Sequence, residues 1–237
     1  MAFLKDSLFR QLLYVRGILT YHKVLAIAFT PTAFWRYLNV KKCLKNGLIL
    51  DVGAGGKSLL AYFGFNCISI DIKKACGVDI VASATALPFK NHAIDQVICV
   101  DVLEHIPSCA RAIALEELNR VSRKKVIIHV PLEGETFYAR YFTYIYNVMY
   151  RRIFGKSSEF AVEHERLGMP QSDSFLNAGF KVYKSINAYA WLMASIYLIS
   201  LPPPLSLLLS WFITFVGHFL DRFSPSLAGI CIKNKAH

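Results

Sequence analysis

Short apolar runs alternate with helical patterns through the middle of the chain. The runs typical of strands occupy residues 48–52, 67–71, 79–82, 94–100 and 125–130, and two later ones occupy residues 180–186 and 227–233. Strands that alternate with helices in this way favour a parallel sheet covered by helices on both faces. The pattern therefore predicts an α/β fold.

The segment before the first strand, residues 1–46, has helical periodicity instead. Apolar residues recur at helical spacing over 7–29 with Lys and Arg between them, which predicts a basic amphipathic helix. Thr30 and Pro31 are typical of an N-cap and a first helical turn, and a second helix is expected to run from them to the Asn46–Gly47 pair.

A long apolar segment separates the last two predicted strands. No Asp, Glu, Lys or Arg lies between Lys184 and Asp221, and three prolines at 202–204 divide the stretch. Each half has roughly 16 residues, or about 24 Å if helical, which is short for a bilayer span. We call residues 185–220 the apolar insertion and expect a helical hairpin lying in a membrane surface; the alternative is a lid or dimer interface.

Charge and cysteine content support that expectation. The chain has 237 residues and a net charge of +11, and residues 1–46 contain eight Lys or Arg against one Asp. Such a localised basic segment favours an anionic membrane surface and makes a nucleic-acid partner unlikely. Six cysteines without C-x-x-C spacing indicate neither zinc nor disulfides, and no signal-peptide cleavage pattern is present. We expect a peripheral or monotopic protein on the cytoplasmic side of a membrane.

A glycine-rich turn follows the first strand. Residues 51–58 spell DVGAGGKS, and Asp71 stands at the end of the next strand, where an acid accepts hydrogen bonds from ribose hydroxyls. Ser58 occupies the last glycine position of the dinucleotide fingerprint, which disfavours a pyrophosphate ligand. Residues 56–58 fit a Walker A motif, but Asp51 would repel phosphates. The loop therefore favours S-adenosylmethionine (SAM), which is cationic; a P-loop-like nucleotide-binding protein remains the alternative.

Residues 51–55 resemble the D-x-G-x-G motif of class I SAM-dependent methyltransferases, and Asp71 resembles their ribose-binding acid. Residues 86–98 and 101–106 resemble later motifs of the small-molecule, quinone-pathway group. The resemblance covers about residues 45–132. It implies a Rossmann-like sheet with an antiparallel last strand, in a methyltransferase domain over 47–237. It assigns SAM binding to Asp51, Gly53, Ala54, Gly55, Asp71, Ile72, Ser83, Ala84 and Asp101.

Two positions depart from this family pattern. Ser83 stands where the family often has the Asp that holds the adenine amino group, and Lys57 replaces the third glycine. A hydroxyl accepts that hydrogen bond more weakly than a carboxylate does. A binding module that kept the fold and lost catalysis is therefore a second alternative.

Candidate catalytic residues follow the predicted fourth and fifth strands. Methyl transfer requires positioning and, for a hydroxyl acceptor, removal of a proton. We select His164, His105 and Glu104 as candidate acid or base groups. Asp101, Glu104 and His105 also resemble a pattern that binds a divalent ion such as Mg²⁺ in some methyltransferases, although they could simply begin a helix; we assign no metal ligand. His129 lies inside an apolar strand and is expected to be a core residue.

An aromatic segment completes the predicted site. Residues 133–170 are rich in Tyr and Phe and are expected to cap the substrate. The sequence therefore predicts SAM-dependent methylation, of oxygen, on a small-molecule or lipid-like acceptor at a membrane surface. An RNA methyltransferase is a minor alternative, because no known RNA-binding module is present.

Overall fold

The computed structural model describes residues 31–132, 166–184 and 228–235, together with isolated positions 144, 148, 151–152, 155–157, 162, 208 and 212. The described helices and strands are, in chain order, α1 (Pro31–Lys41), β1 (Ile49–Val52), α2 (Leu59–Tyr62), β2 (Cys67–Asp71), β3 (Ile80–Val81), β4 (Ile94–Val100), a 3-10 turn (Leu103–His105), α3 (Ser108–Val121), β5 (Ser122–Pro131), α4 (Ser172–Asn177), β6 (Lys181–Lys184) and β7 (Ala228–Asn234).

The strands form one seven-stranded sheet in the order β3-β2-β1-β4-β5-β7-β6. Neighbouring strands from β3 to β5 are parallel, whereas β7 is antiparallel to both β5 and β6. This arrangement confirms the predicted α/β sheet with an antiparallel last strand. Because β7 is antiparallel to both of its neighbours, β6 runs parallel to β5 on the far side of β7.

Two element boundaries differ from the prediction for identifiable reasons. β5 begins at Ser122 because this residue pairs with Ile94 across an irregularity in the register, and its hydroxyl donates to Lys125 O. α1 ends at Lys41, earlier than expected, because the Gln96 side chain bonds to both the N–H and the C=O of Lys45. These main-chain groups are held by β4 and therefore do not continue the helix.

The sheet separates two apolar clusters. On one face α1 and α2 pack against Ile49, Ile98 and Ile127. On the other face α3 and α4 cover Val97 and Ile128. Successive residues of a strand point to opposite faces, so this alternation explains why the central strands are apolar throughout.

One end of the sheet, which we call the carboxyl edge, is where β1, β2, β4 and β5 end. Lys184 pairs with Gly229, and Pro131 pairs with Ala228, so the chain also leaves β6 and enters β7 at this edge. The connection that contains the apolar insertion therefore departs from and returns to the carboxyl edge. Ligands of parallel α/β sheets bind at such an edge.

Several predicted features lie outside the described residues. They are the helix over 7–29, most of the cap over 133–170, and the apolar insertion apart from Leu208 and Phe212. These last two positions are helical, and their side chains are 70% and 63% exposed. In the part of the chain that the structure describes, no helix has the length and apolar character needed to cross a bilayer.

Candidate active site

The turn after β1 is held against β2 by main-chain hydrogen bonds. The N–H groups of Gly53 and Ala54 both donate to Ile70 O, at 2.8 and 2.9 Å. Gly53 and Gly55 have φ angles of +78° and +64°, which favour glycine. A side chain at Gly55 would meet nothing within 4 Å, so the main chain is open to a ligand there.

Asp71 stands next to this turn at the end of β2. Its Oδ2 accepts from Gly55 N at 2.8 Å and its Oδ1 accepts from Lys73 N at 2.9 Å, which fixes the carboxylate beside the glycine turn. A carboxylate has about four acceptor positions, so each oxygen can take a further hydrogen bond from a ribose hydroxyl. Ile72 follows with its side chain 69% exposed, which leaves an apolar surface beside the acid.

The predicted adenine-binding pair lies in a tight turn after β3. Ser83 Oγ accepts from Thr85 N and lies 2.8 Å from Thr85 Oγ1, while Ala84 is buried. The serine hydroxyl is therefore engaged within its own turn. Ser83 and Ala84 come after β3, the strand next to β2, and so follow the ribose site along the carboxyl edge.

Asp51 lies beneath the glycine turn. Its side chain is completely buried, and Tyr37 Oη donates to Asp51 Oδ2 at 2.8 Å. Burial raises the pKa of Asp51 to about 6 and the pKa of Tyr37 well above its usual value. Asp51 therefore lies inside the core, where its hydrogen bond with Tyr37 connects β1 to α1.

A cluster of charged groups lies beyond β4 and β5. Arg36 of α1 forms an ion pair with Asp101, whose φ is +53°. His129 Nδ1 lies 3.2 Å from Asp101 Oδ1, and Asp101 N donates to His129 O. Burial, followed by the charge of Arg36, lowers the pKa of His129 to about 3, so the ring is neutral and donates to the carboxylate. His129 is 3% exposed, which confirms the expected core position.

Glu104 adds a second acid to this cluster. It belongs to the 3-10 turn after β4, its side chain is 1% exposed, and its Oε2 has no hydrogen-bond partner among the described residues. Burial raises the pKa of Glu104 to about 7, although the charge of Arg36 opposes the shift. Burial also lowers the pKa of Arg36 to about 10, which leaves the guanidinium charged at neutral pH.

The other catalytic candidates are less well placed by the structure. His105 is half-buried at the end of the 3-10 turn, and its main-chain N–H donates to Val102 O. His164 lies outside the described residues. Within 31–132, 166–184 and 228–235, no three His, Cys, Asp or Glu side chains form a group that could hold a metal. The Mg²⁺ hypothesis thus has no support here, and the ion-pair partner of Asp101 is Arg36.

The Walker A interpretation conflicts with the position of Ser58. This residue is completely buried, and its hydroxyl accepts from Leu60 N as the N-cap of α2. Ser58 N in turn donates to Ser69 Oγ at 2.9 Å. The hydroxyl that a P-loop would offer to a metal ion is therefore part of a helix cap.

Arg36 and Tyr37 are site residues that the sequence did not reveal. Both lie on α1, which the sequence predicts only as a second helix that begins at Thr30 and Pro31. The available signal was the position of an arginine next to the buried Tyr37 and Val40, on the side of the helix that packs on the sheet. Such a charge is rarely buried without a partner.

Comparison with known proteins agrees with this geometry. Residues 50–130, from β1 to β5, match the family model described as a methyltransferase domain. The chain is 29% identical over 175 residues to the protein MJ0638 of Methanocaldococcus jannaschii. This alignment covers 70% of the present chain and 68% of that protein.

Two solved structures share the fold. One is a SAM-dependent methyltransferase of Thermotoga maritima, at 14% identity and a TM-score of 0.54, with 93% of this chain and 97% of that chain covered. The other is phosphoethanolamine N-methyltransferase 2 of Haemonchus contortus, at 12% identity and a TM-score of 0.51, with 94% of this chain covered. The present chain spans 59% of the nematode protein.

Proposed function

We propose that this chain, in which residues 50–130 form a class I SAM-dependent methyltransferase domain, methylates a hydroxyl oxygen of a lipid-like molecule at a membrane surface. The methyltransferase assignment is the premise; the acceptor atom, the substrate class and the membrane are our proposal. The observation that carries it is topological: the apolar insertion is attached at the carboxyl edge, the same edge that bears the glycine turn and the charged cluster.

The residues at the carboxyl edge fit SAM. The main chain is open at Gly55, and Asp71 presents an oriented carboxylate next to it. Neighbouring strands are about 4.8 Å apart, so a ligand whose ribose lies at β2 extends over β1 towards Asp101 beyond β4. Asp101 and Glu104 offer negative charge to a cation, and Arg36 offers positive charge to a carboxylate.

Asp71 and the main chain at Gly55 would hold SAM, which would supply a methyl group activated by a positively charged sulfur and would leave as the neutral thioether after transfer to the acceptor oxygen. The hydroxyl proton then needs a base. Glu104 meets this need, because burial raises its pKa to about 7 and one of its oxygens has no partner among the described residues. A proton acceptor works best with a pKa near the working pH.

A membrane surface accounts for the attached apolar segments. Leu208 and Phe212 belong to the insertion, are helical, and expose most of their side chains. Transfer of such a side chain into lipid gains about 1.5–3 kcal/mol. The chain at Pro131, which leads into the aromatic cap, also leaves the sheet at the carboxyl edge, so an acceptor could move directly from lipid to the site.

The cytoplasmic side is the expected location. All six cysteines are free thiols, including the exposed Cys76 and Cys109, which is compatible with a reducing compartment. Basic residues near the amino terminus would meet the anionic lipids of that leaflet.

The test is transfer of labelled methyl from SAM to fractionated acceptors. Purified protein is incubated with methyl-labelled SAM and, separately, with membrane lipids, water-soluble metabolites and total RNA. We expect label in the lipid fraction in an alkali-stable ether linkage, and no label with the Asp71→Ala variant. Label in RNA or in soluble metabolites alone would overturn the proposed substrate class, and label on nitrogen would overturn the proposed acceptor atom.

A further inference from the structure

A groove of about 690 Å³ lies between α3 and α4, on the face of the sheet opposite to α1. Residues Ser108, Arg111, Ala112, Leu115, Glu116 and Asn119 line it from α3. Their spacing of three and four residues places them on one side of that helix. Ser174 and Ala178 line the groove from the other side, and their small side chains leave the space between the helices unfilled.

The floor of the groove is aromatic. Phe175 and Phe180 lie edge to face with ring centroids 6.3 Å apart, and both belong to the buried core. Leu115 lines the groove above the sheet. Towards the amino end of the strands the lining becomes polar, with Asn119 and Lys233. Ser108, Arg111, Glu116 and Ser174 add polar groups along the walls, so the groove offers a chain-like ligand an apolar strip between polar walls.

The end of the groove nearest the carboxyl edge, which we call its upper end, reaches the candidate active site. Leu103 lines it and is the direct neighbour of Glu104 in the 3-10 turn. The other wall at this end is the segment 167–170, the end of the predicted substrate cap. Arg111 joins the two walls, because its side chain donates to the carbonyls of Leu103 and Gly168. The groove is therefore continuous with the place where the methyl acceptor is expected.

The chemistry of the lining limits what can occupy it. Main-chain carbonyls at the upper end, of residues 103, 106, 167 and 168, already accept hydrogen bonds from Arg111. An extended peptide would need such groups to satisfy its own main chain. A hydrocarbon chain needs only apolar contact, which the half-buried Leu115, Leu167 and Met169 provide. The volume also lies within the range of about 300–1,000 Å³ found for small-molecule sites.

We infer that the groove between α3 and α4 binds the hydrocarbon chain, acyl or prenyl, of the lipid-like methyl acceptor. This inference rests on the proposed function and specifies its substrate: a single-chain lipid with its hydroxyl-bearing head near Glu104. The chain enters at the carboxyl edge, between Leu103 and residues 167–170, and runs towards Asn119. Shape and chain length, more than head-group chemistry, then determine which lipids are accepted.

The experiment measures binding of cis-parinaric acid, a fluorescent fatty acid, to the full-length protein and three tryptophan variants. Ala112→Trp and Ser174→Trp place an indole in the groove from either side, since both positions line it and are exposed. Ile113→Trp is the matched control, because Ile113 is the next residue of α3, is 49% exposed, and does not line the groove. We expect at least about tenfold weaker probe binding in both groove variants and unchanged binding in the control.

Calorimetric titration with SAM accompanies each variant. Unchanged SAM affinity shows that the variant is folded, and the cofactor site does not include these positions. Probe affinity that is unchanged in a groove variant that still binds SAM, or an equal loss with Ile113→Trp, would overturn the inference. The proposed function fails separately: if labelled methyl never enters lipid but the probe pattern holds, the groove stands and the substrate assignment falls.

Discussion

Val102 packs so closely on Gly53 that a Cβ built at Gly53 would lie 2.1 Å from Val102 Cγ2. Gly53→Ala therefore forces the turn after β1 away from the residue that follows Asp101. We expect this variant to lose at least about tenfold in SAM affinity, since the turn and the charged cluster move apart. Isothermal calorimetry measures the loss, and thermal unfolding reports whether the fold survives.

Two further variants distinguish the steric clash with Val102 from the backbone strain of a non-glycine residue at positive φ. Gly55→Ala introduces the same unfavourable positive φ, at +64°, but meets no atom within 4 Å, so its loss should be smaller. Val102→Ala removes the clashing methyl and should restore part of the SAM affinity of Gly53→Ala. If the changes in SAM affinity caused by Gly53→Ala and Val102→Ala simply add in the double variant, the contact between these two residues is not the cause of the loss.

Asp71→Ala removes the carboxylate that the main chain of Gly55 and Lys73 orients. Hydrogen bonds to a charged group contribute about 1.5–3 kcal/mol each, so SAM affinity should fall by at least about tenfold. Asp173→Ala, an exposed acid on α4, is the control and should bind SAM normally. Equal affinity of the Asp71 variant and the wild type would remove Asp71 from the site.

Glu104 should make stability depend on pH with a defined sign. Its pKa is raised from 4.5 to about 7 in the folded state, so the folded protein holds the proton more tightly than the unfolded chain does. The resulting stabilisation is complete below pH 4.5 and is lost as pH rises through 7. Glu104→Gln keeps the protonated shape at every pH. It should match the wild type at pH 4 and be more stable at pH 8, by up to roughly 3 kcal/mol.

Urea unfolding of both proteins across this range gives the difference curve, which cancels the opposite contribution of His129. Glu104→Gln also tests catalysis, since loss of the base should remove the increase in methylation rate that has its midpoint near pH 7. A flat difference curve would mean that Glu104 titrates normally.

The strands and the glycine turn could be predicted because their signals are local. β2 and β4 begin and end as expected, since apolar residues predominate in each short run, and Asp71 follows from its distance along the chain to Asp51. The charged cluster could not be predicted in this way. Arg36 and Asp101 are 65 positions apart, and their contact depends on α1 crossing the ends of β1 and β4. Asp101 and Glu104 were candidates, but the sequence suggested a divalent ion beside them and did not identify Arg36 as the nearby positive charge.

Arg36→Met should destabilise the fold in a pH-dependent manner. Without the guanidinium, Asp101 and Glu104 lose their nearby positive charge, and an unpaired buried charge costs about 3–5 kcal/mol. At pH 5 Glu104 is protonated, so the loss should be smaller than at pH 8. Arg36→Lys keeps the charge and should lose less. Chemical denaturation at both pH values checks this, and an equal loss at pH 5 and 8 would argue against the pairing.

Membrane attachment through the apolar insertion should resist salt. Electrostatic attraction is screened over about 3 Å in molar salt, whereas burial of apolar side chains is not weakened. We expect the protein to stay on membranes washed with molar salt, and a version with residues 188–220 replaced by a glycine-serine linker to be released. Leu208→Glu with Phe212→Glu should weaken attachment, and Ile113→Glu, on α3, should not. Release of the intact protein by salt would contradict the docking.

The pairing of Lys184 with Gly229 also has a consequence for how the chain folds. These neighbours on β6 and β7 are joined by a connection of more than forty residues, so their contact must close a long loop. Closing it costs roughly 2 kcal/mol more entropy than closing a five-residue turn. Because β7 pairs with both β5 and β6, the sheet stays incomplete until this slow step occurs. The insertion precedes β7 in the chain, so under the proposed membrane docking lipid would capture it before β7 pairs, and a bilayer would act as a template for the last step of folding.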